Sequence, residues 1–196
     1  DLRMSRGLGD VYKRQVMDNQ KEEILQKIEE AEYVLVGLGQ EFDMEFFLQS
    51  REDYRRIREQ LQQQNVLWLL PYVEAQFRKQ YMPEMEAEIE KGLQKLAKVL
   101  EKKSYFVVSS SMNHKLAEVP WKKMLLKKER FVAPCGDWTK KQCPDGCEEG
   151  IQTVTEADEE QLQESFKKLQ TNGFSVPDLG KCPKCGKKLV LNNVYA

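Results

Sequence analysis

Two short, continuous apolar runs indicate the buried strands of this chain. Residues 33–38 and 105–109 are rich in aromatic and β-branched side chains, and glycine or serine ends each run. Such runs are typical of parallel strands that are covered on both faces. The pattern therefore predicts two buried parallel strands.

Helical periodicity marks four further segments of the chain. Apolar residues at three- and four-residue spacing predict helices at 18–32, 51–64, 84–103 and 155–171. The expected buried face of the second helix consists of Tyr54, Ile57 and Leu61. Thr155 and Asp158 resemble a capping box at the start of the last helix. The apolar segment 66–73 could be buried, but Pro71 argues against a central strand. Helices alternating with buried strands predict an α/β fold with a parallel sheet.

Composition narrows the class of protein. The 196 residues are 40% hydrophobic and 32% charged, with a net charge of −1, which excludes a disordered chain and a strongly basic nucleic-acid-binding surface. No apolar run approaches the length of about 20 residues that a membrane span needs, and no signal peptide is recognisable. We therefore expect a cytoplasmic protein. Cysteine, proline and glycine become frequent after residue 130, which predicts one unit at 16–129 and a small lobe at 130–196.

The first fifteen residues are interpreted separately. Asp10–Gln15 reads DVYKRQ, which is the translation, in one frame, of a common transposase sequencing adaptor. We interpret residues 1–15 as an assembly artefact and exclude them from the fold. The alternative is a natural flexible arm.

Four of the five cysteines form two close pairs. Cys143 and Cys147 are separated by three residues, and Cys182 and Cys185 by two. Closely spaced cysteines on a turn direct both sulfurs at one ion, and four thiolates satisfy tetrahedral Zn²⁺ and close its coordination sphere. We therefore predict a structural zinc site, whereas the alternatives are two disulfides or free thiols. Five nearby lysines would favour the thiolate form: Lys140, Lys141, Lys181, Lys184 and Lys187.

A glycine pair follows the first predicted strand. Gly37 and Gly39 lack a β-carbon, so the backbone there could approach a pyrophosphate closely. A plain turn from strand to loop explains the same pair equally well. The pair becomes informative only together with motifs further along the chain.

Four motifs in order resemble the sirtuin family. Val36–Gly39 looks like the family's Gly-Ala-Gly start, and Tyr105–Asn113 falls where sirtuins have an apolar strand that leads into Thr-Gln-Asn-Ile-Asp. Phe131–Gly136 resembles the strand that carries the family's His-Gly, eight residues before its first zinc cysteine. Cys182–Gly186, followed by Leu189, resembles the family's Cys-Pro-x-Cys-Gly-Gly-x-Leu motif. The resemblance covers roughly residues 18–196.

This resemblance implies an incomplete Rossmann-like sheet with a small zinc-ribbon lobe. It implies NAD or ADP-ribose as ligand, an acyl-lysine protein as substrate, and transfer of an acyl or ADP-ribosyl group as chemistry. The implied cofactor-binding residues are Gly37, Gly39, Ser109, Ser111 and Asn113. Cys135 stands at the position of the general-base histidine, and the family's Ser and Arg are not recognisable in Gln40–Asp43. Catalysis is therefore expected to be altered or lost.

Three functions remain open at this point. The first is a divergent sirtuin-like protein that binds NAD or ADP-ribose and has possible transferase activity. The second is a zinc-ribbon module that binds protein or nucleic acid without catalysis, although the balanced charge argues against nucleic acid. The third is an unrelated α/β protein with a structural zinc site.

Overall fold

A computed structural model describes residues 20–39, 45–112 and 130–193. The helices are α1 (20–30), α2 (Glu45–Gln49), α3 (Glu52–Gln63), α4 (Leu70–Tyr81), α5 (Pro83–Leu100) and α6 (Glu156–Gln170). Short 3-10 turns lie at Leu67–Leu69 and Glu148–Gly150. The strands are β1 (Tyr33–Leu38), β2 (Ser104–Ser109), β3 (Phe131–Val132), β4 (Gly136–Gln142), β5 (Gln152–Thr153) and β6 (Val190–Asn193).

The strands form one parallel and one antiparallel sheet. In the first sheet, β2 lies between β1 and β3, and both pairings are parallel. In the second, β4 lies between β5 and β6, and both pairings are antiparallel. The predicted α/β class and the two predicted strands are confirmed, and the parallel sheet has a third short strand.

Among the described residues, only one face of the parallel sheet is packed. Val107 is fully buried against α5, where Leu100 is also fully buried. On the opposite face, Tyr33 and Leu35 are each 74% exposed. The prediction that these strands are covered on both faces is therefore wrong for the described residues, because α5 supplies a layer on one side alone. An apolar run indicates a strand, but it does not reveal whether a second covering layer is present.

The larger hydrophobic core joins residues on both sides of position 130. Phe77 of α4 packs edge-to-face on Phe166 of α6, with ring centroids 5.9 Å apart. Tyr72 of α4 packs in the same way on Trp138 of β4, at 5.6 Å. The same core contains the buried cysteines of the lobe. Helices α3 and α4 therefore pack with the cysteine-rich lobe, whereas α5 packs with the parallel sheet.

The helix predictions differ in outcome. The expected face of α3 is confirmed, because Tyr54, Ile57 and Leu61 are all at most 1% exposed. The sequence does not predict α4 as a helix: α4 is buried on almost every side, so its sequence carries no helical stripe, and Pro71 lies in its first turn. In the described part of the chain, no helix is long and apolar enough to span a membrane.

Candidate functional site

Four cysteine side chains converge in the lobe. The sulfurs of Cys143, Cys147, Cys182 and Cys185 all lie within 4.8 Å of one another, and those of Cys143 and Cys185 are 3.4 Å apart. Cys143 and Cys182 are buried, whereas Cys185 is exposed. The four sulfurs together could hold a metal such as zinc. We call this group the cysteine cluster.

Two tight backbone turns supply the four sulfurs. In the first cysteine loop (143–150), the Gly146 amide donates to the Cys143 carbonyl, and the Gly150 amide donates to the Cys147 carbonyl. In the second cysteine hairpin (180–189), the Cys182 amide donates to the Lys187 carbonyl at 2.8 Å. Gly186 has a φ of +75°, a conformation in which side chains are strained. Local backbone hydrogen bonds therefore hold each cysteine pair in a turn.

Ion pairs connect the two loops at the surface. Lys187 of the second hairpin lies 2.7 Å from Asp145 of the first loop, and Lys184 lies 3.5 Å from Glu149. All four side chains are about half exposed, so each pair contributes little to stability. The two pairs place acidic side chains of the first cysteine loop opposite basic side chains of the second cysteine hairpin.

One of the five lysines near the cysteines is buried and forms an ion pair. Lys141 is only 7% exposed and pairs with Asp158. The sequence predicts that its charge, like that of its neighbours, favours thiolates. In the structure its ammonium makes hydrogen bonds inside the lobe.

The cysteine thiols have divergent acidities. Burial raises the pKa of Cys143, but hydrogen bonds from the Asp145 amide and with Cys185 outweigh burial and lower this pKa to about 7. The pKa of Cys147 is raised to about 12, chiefly by its contact with Cys143. Because one thiolate opposes the ionisation of its neighbour, a divalent cation bound here would allow all four cysteines to be thiolates together.

The carboxyl ends of the three parallel strands lie at one edge of the sheet. Leu38 pairs with Ser109 at the ends of β1 and β2, and the Ser110 amide donates to the Leu38 carbonyl at 2.9 Å. Gly39 and Ser109–Ser111 are therefore adjacent. Because β3 is parallel to β2, Cys135 follows a strand end at the same edge. In open α/β sheets, ligands bind outside the carboxyl ends of the strands.

The expected cofactor-binding residues at this edge differ in exposure. Ser109 is fully buried and its hydroxyl donates to the Ser111 carbonyl, while Ser111 is itself 3% exposed. Gly37 is a residue of β1, is exposed, and has open space where a β-carbon would be. Among the described residues, none therefore requires a glycine at position 37. Asn113 and Gln40–Asp43 lie outside the described residues.

Cys135 lies apart from the cysteine cluster, in the turn between β3 and β4. The next residue, Gly136, has a φ of +116°, and a β-carbon there would stand 2.4 Å from the Asn193 α-carbon. Asn193 donates to the Trp68 carbonyl at 2.7 Å. The turn that carries Cys135 therefore connects β3 of the parallel sheet to β4, which packs with the larger core.

Sequence reasoning missed two residues of the lobe. Gly150 presses against Cys143, and Asn193 closes on Gly136. Both contacts depend on how the chain folds back on itself, so residue spacing alone gives no signal for them. Comparison of the chain with protein-family models and with curated proteins found no match.

Proposed function

We propose that this chain is the nucleotide-binding and zinc-lobe portion of a divergent sirtuin-like protein. The ligand is NAD or ADP-ribose, bound at the carboxyl edge of the parallel sheet. The metal is a structural Zn²⁺ on Cys143, Cys147, Cys182 and Cys185. Deacylation or ADP-ribosyl transfer is altered or lost.

The observation that carries the proposal is the meeting of three strand ends. The motifs that resemble the family lie far apart in sequence, yet Gly39, Ser109–Ser111 and Cys135 follow three adjacent parallel strands. Backbone amides beside a glycine turn suit a pyrophosphate, because they approach without a side chain in between. The open space beside Gly37 supports the same interpretation.

The cysteine cluster supports the zinc part of the proposal. Its sulfurs lie within 4.8 Å of one another, and two of them belong to the larger hydrophobic core. Four protein ligands leave no open coordination position, so the zinc would organise the lobe rather than react. Strand β4 connects the turn that carries Cys135 to Cys143, so bound zinc would hold the opposite end of that strand.

Calorimetry tests the nucleotide part directly. The zinc-loaded chain without residues 1–15 is titrated with ADP-ribose, with NAD, and with AMP as a control that lacks the second phosphate and ribose. We expect saturable binding of ADP-ribose and NAD that is tighter than that of AMP by about 1.4 kcal/mol or more, which is tenfold. Zinc uptake without any nucleotide binding would contradict the sirtuin-like proposal and favour a zinc-ribbon binding module.

A further inference from the structure

A buried lysine connects the two halves of the cysteine cluster. Lys141 lies on β4, two residues before Cys143. Its ammonium donates to both carboxylate oxygens of Asp158, at 3.0 and 2.8 Å, and to the Leu179 carbonyl at 2.8 Å. An ammonium has three donors, so its hydrogen-bonding capacity is filled.

The Leu179 carbonyl stands at the base of the second cysteine hairpin. Gly180 follows with a φ of +88°, and its carbonyl accepts a hydrogen bond from the Leu189 amide at 2.9 Å. Leu179 and Leu189 are each at most 2% exposed. The hydrogen bond from Lys141 to the Leu179 carbonyl therefore fixes where this hairpin begins relative to β4 and the first cysteine loop.

Asp158 anchors the same lysine from the helix inserted between the cysteine pairs. Its carboxylate accepts hydrogen bonds from the amide and the hydroxyl of Thr155, both at 2.8 Å, within the capping box of α6. Asp158 and Lys141 are 6% and 7% exposed. One buried network thus joins β4, the start of α6 and the base of the second hairpin.

A buried ion pair is poorly explained by stability alone. The cost of removing two charges from water cancels much of their attraction, and well-packed apolar residues often serve as well. Geometry is the better explanation here, because the lysine's third hydrogen bond reaches the segment that positions Cys182 and Cys185.

We propose that Lys141 is a positioning residue of the metal centre, which holds the two cysteine pairs at the separation that one ion requires. This inference rests on the proposal that the four cysteines hold zinc. Groups that hydrogen-bond metal ligands typically change metal affinity about 10- to 100-fold when they are replaced, and Lys141 acts on the backbone that carries two of the ligands.

The test compares two buried ion pairs in the full chain. Lys141→Met removes the positioning lysine. Arg78→Met breaks the Arg78–Glu86 pair, which is equally buried but joins α4 to α5. Zinc affinity is measured by competition with a chromophoric chelator, and cobalt(II) absorption reports the geometry of the thiolate site. We expect Lys141→Met to weaken zinc binding about 10- to 100-fold and to alter the cobalt spectrum. Arg78→Met lowers stability but leaves both readouts at wild-type values.

The double variant Lys141→Met/Asp158→Asn covers the case in which the single variant does not fold. It removes the carboxylate that Lys141→Met leaves buried without its cation, while the asparagine still accepts from Thr155. We expect it to regain stability but to keep the weakened zinc affinity, because the Leu179 carbonyl still lacks its donor. Wild-type zinc affinity in the lysine variants would overturn the inference and leave the metal centre intact. Equal weakening by Arg78→Met would overturn it too. Failure of the unaltered protein to bind zinc would instead contradict the metal centre itself.

Discussion

Gly150 lies against Cys143 so closely that a β-carbon on Gly150 would stand 2.5 Å from the Cys143 β-carbon and 2.9 Å from its amide nitrogen. The Cys143 backbone cannot yield without moving its sulfur. We therefore expect Gly150→Ala to destabilise the zinc-loaded protein by about 1–3 kcal/mol, a typical cost of overpacking. Urea denaturation with constant zinc measures this loss.

Gly92 provides the matched control for Gly150. It lies in α5, and outside the helix's own backbone no described residue lies within 4 Å of the place that a β-carbon would take, so Gly92→Ala causes no clash there. Because alanine favours the helix, this variant should gain up to about 1 kcal/mol. If Gly150→Ala is as stable as the unaltered chain, the close contact between the two cysteine-loop residues is wrong.

A second prediction concerns which core the proposed zinc would stabilise. Cys143 and Cys182 belong to the core that also contains α3 and α4, while β1, β2 and α5 form a separate core. Since metal binding is coupled to the folding of its ligands, Cys182→Ser should reduce hydrogen-exchange protection in α3, α4 and α6. Protection of α5 should change much less. Cys135→Ser, outside the cluster, is the control, and uniform loss of protection across both cores would contradict this division.

The sequence predicts regular elements well where one physical signal is sufficient. Continuous apolar runs predict β1 and β2, and an apolar stripe predicts the buried face of α3. Both patterns are formed by residues that lie close together in the sequence. The sequence also predicts the capping box at Thr155, although Asp158 is not the usual glutamate or glutamine. In the structure the Asp158 carboxylate both caps α6 and accepts a hydrogen bond from Lys141.

The remaining features depend on contacts that no local pattern encodes. Lys141 has the same sequence surroundings as exposed Lys140, and only the fold buries one of them. Helix α4 is buried on nearly all sides, Glu74 and Arg78 included, so its sequence lacks the one-sided apolar stripe that identifies a surface helix. The four sulfurs converge across a gap of 34 residues between pairs, which the pairs' spacing predicts only in part.

A third prediction concerns acid. Burial raises the pKa of Asp158, but hydrogen bonds from Lys141 and Thr155 outweigh burial and hold this pKa below its usual value. A lowered folded-state pKa contributes stability above the unfolded-state pKa of about 3.9, and this contribution is lost as the pH falls through the folded-state pKa. The stability difference between the unaltered chain and Asp158→Asn should therefore be about 2 kcal/mol at neutral pH and shrink below about pH 4. Urea titrations of both proteins at matched pH and zinc measure it. Because Asp158 anchors the lysine that is proposed to position the zinc ligands, bound zinc is measured in both proteins at each pH, and only points at which both are fully loaded are compared. A difference that stays constant down to low pH would contradict the assignment.

Position 37 separates a ligand effect from a folding effect. Gly37 is exposed in β1, and apart from its chain neighbours no described residue lies within 4 Å of the place a β-carbon would take, so Gly37→Ala should fold and gain up to about 1 kcal/mol in stability. If a pyrophosphate approaches the backbone here, the same variant should bind ADP-ribose about tenfold more weakly by calorimetry. Gly92→Ala again serves as control, and unchanged affinity in Gly37→Ala would place the ligand elsewhere.

The last prediction concerns catalysis. The chain contains one histidine, His114, which lies outside the described residues, and Cys135 stands where the sirtuin resemblance implies a general-base histidine. A thiol lacks the two nitrogens by which an imidazole accepts one proton while donating another. NAD-dependent deacylation of an acyl-lysine peptide should therefore be absent or very weak, even where ADP-ribose binds. The measurement is nicotinamide release and peptide mass after prolonged incubation, with Cys135→Ala in parallel. Cys135→His serves as the informative partner variant: a gain of deacylation would support the mapping of this position. Robust deacylation that Cys135→Ala leaves unchanged would instead show that Cys135 is not at the base position.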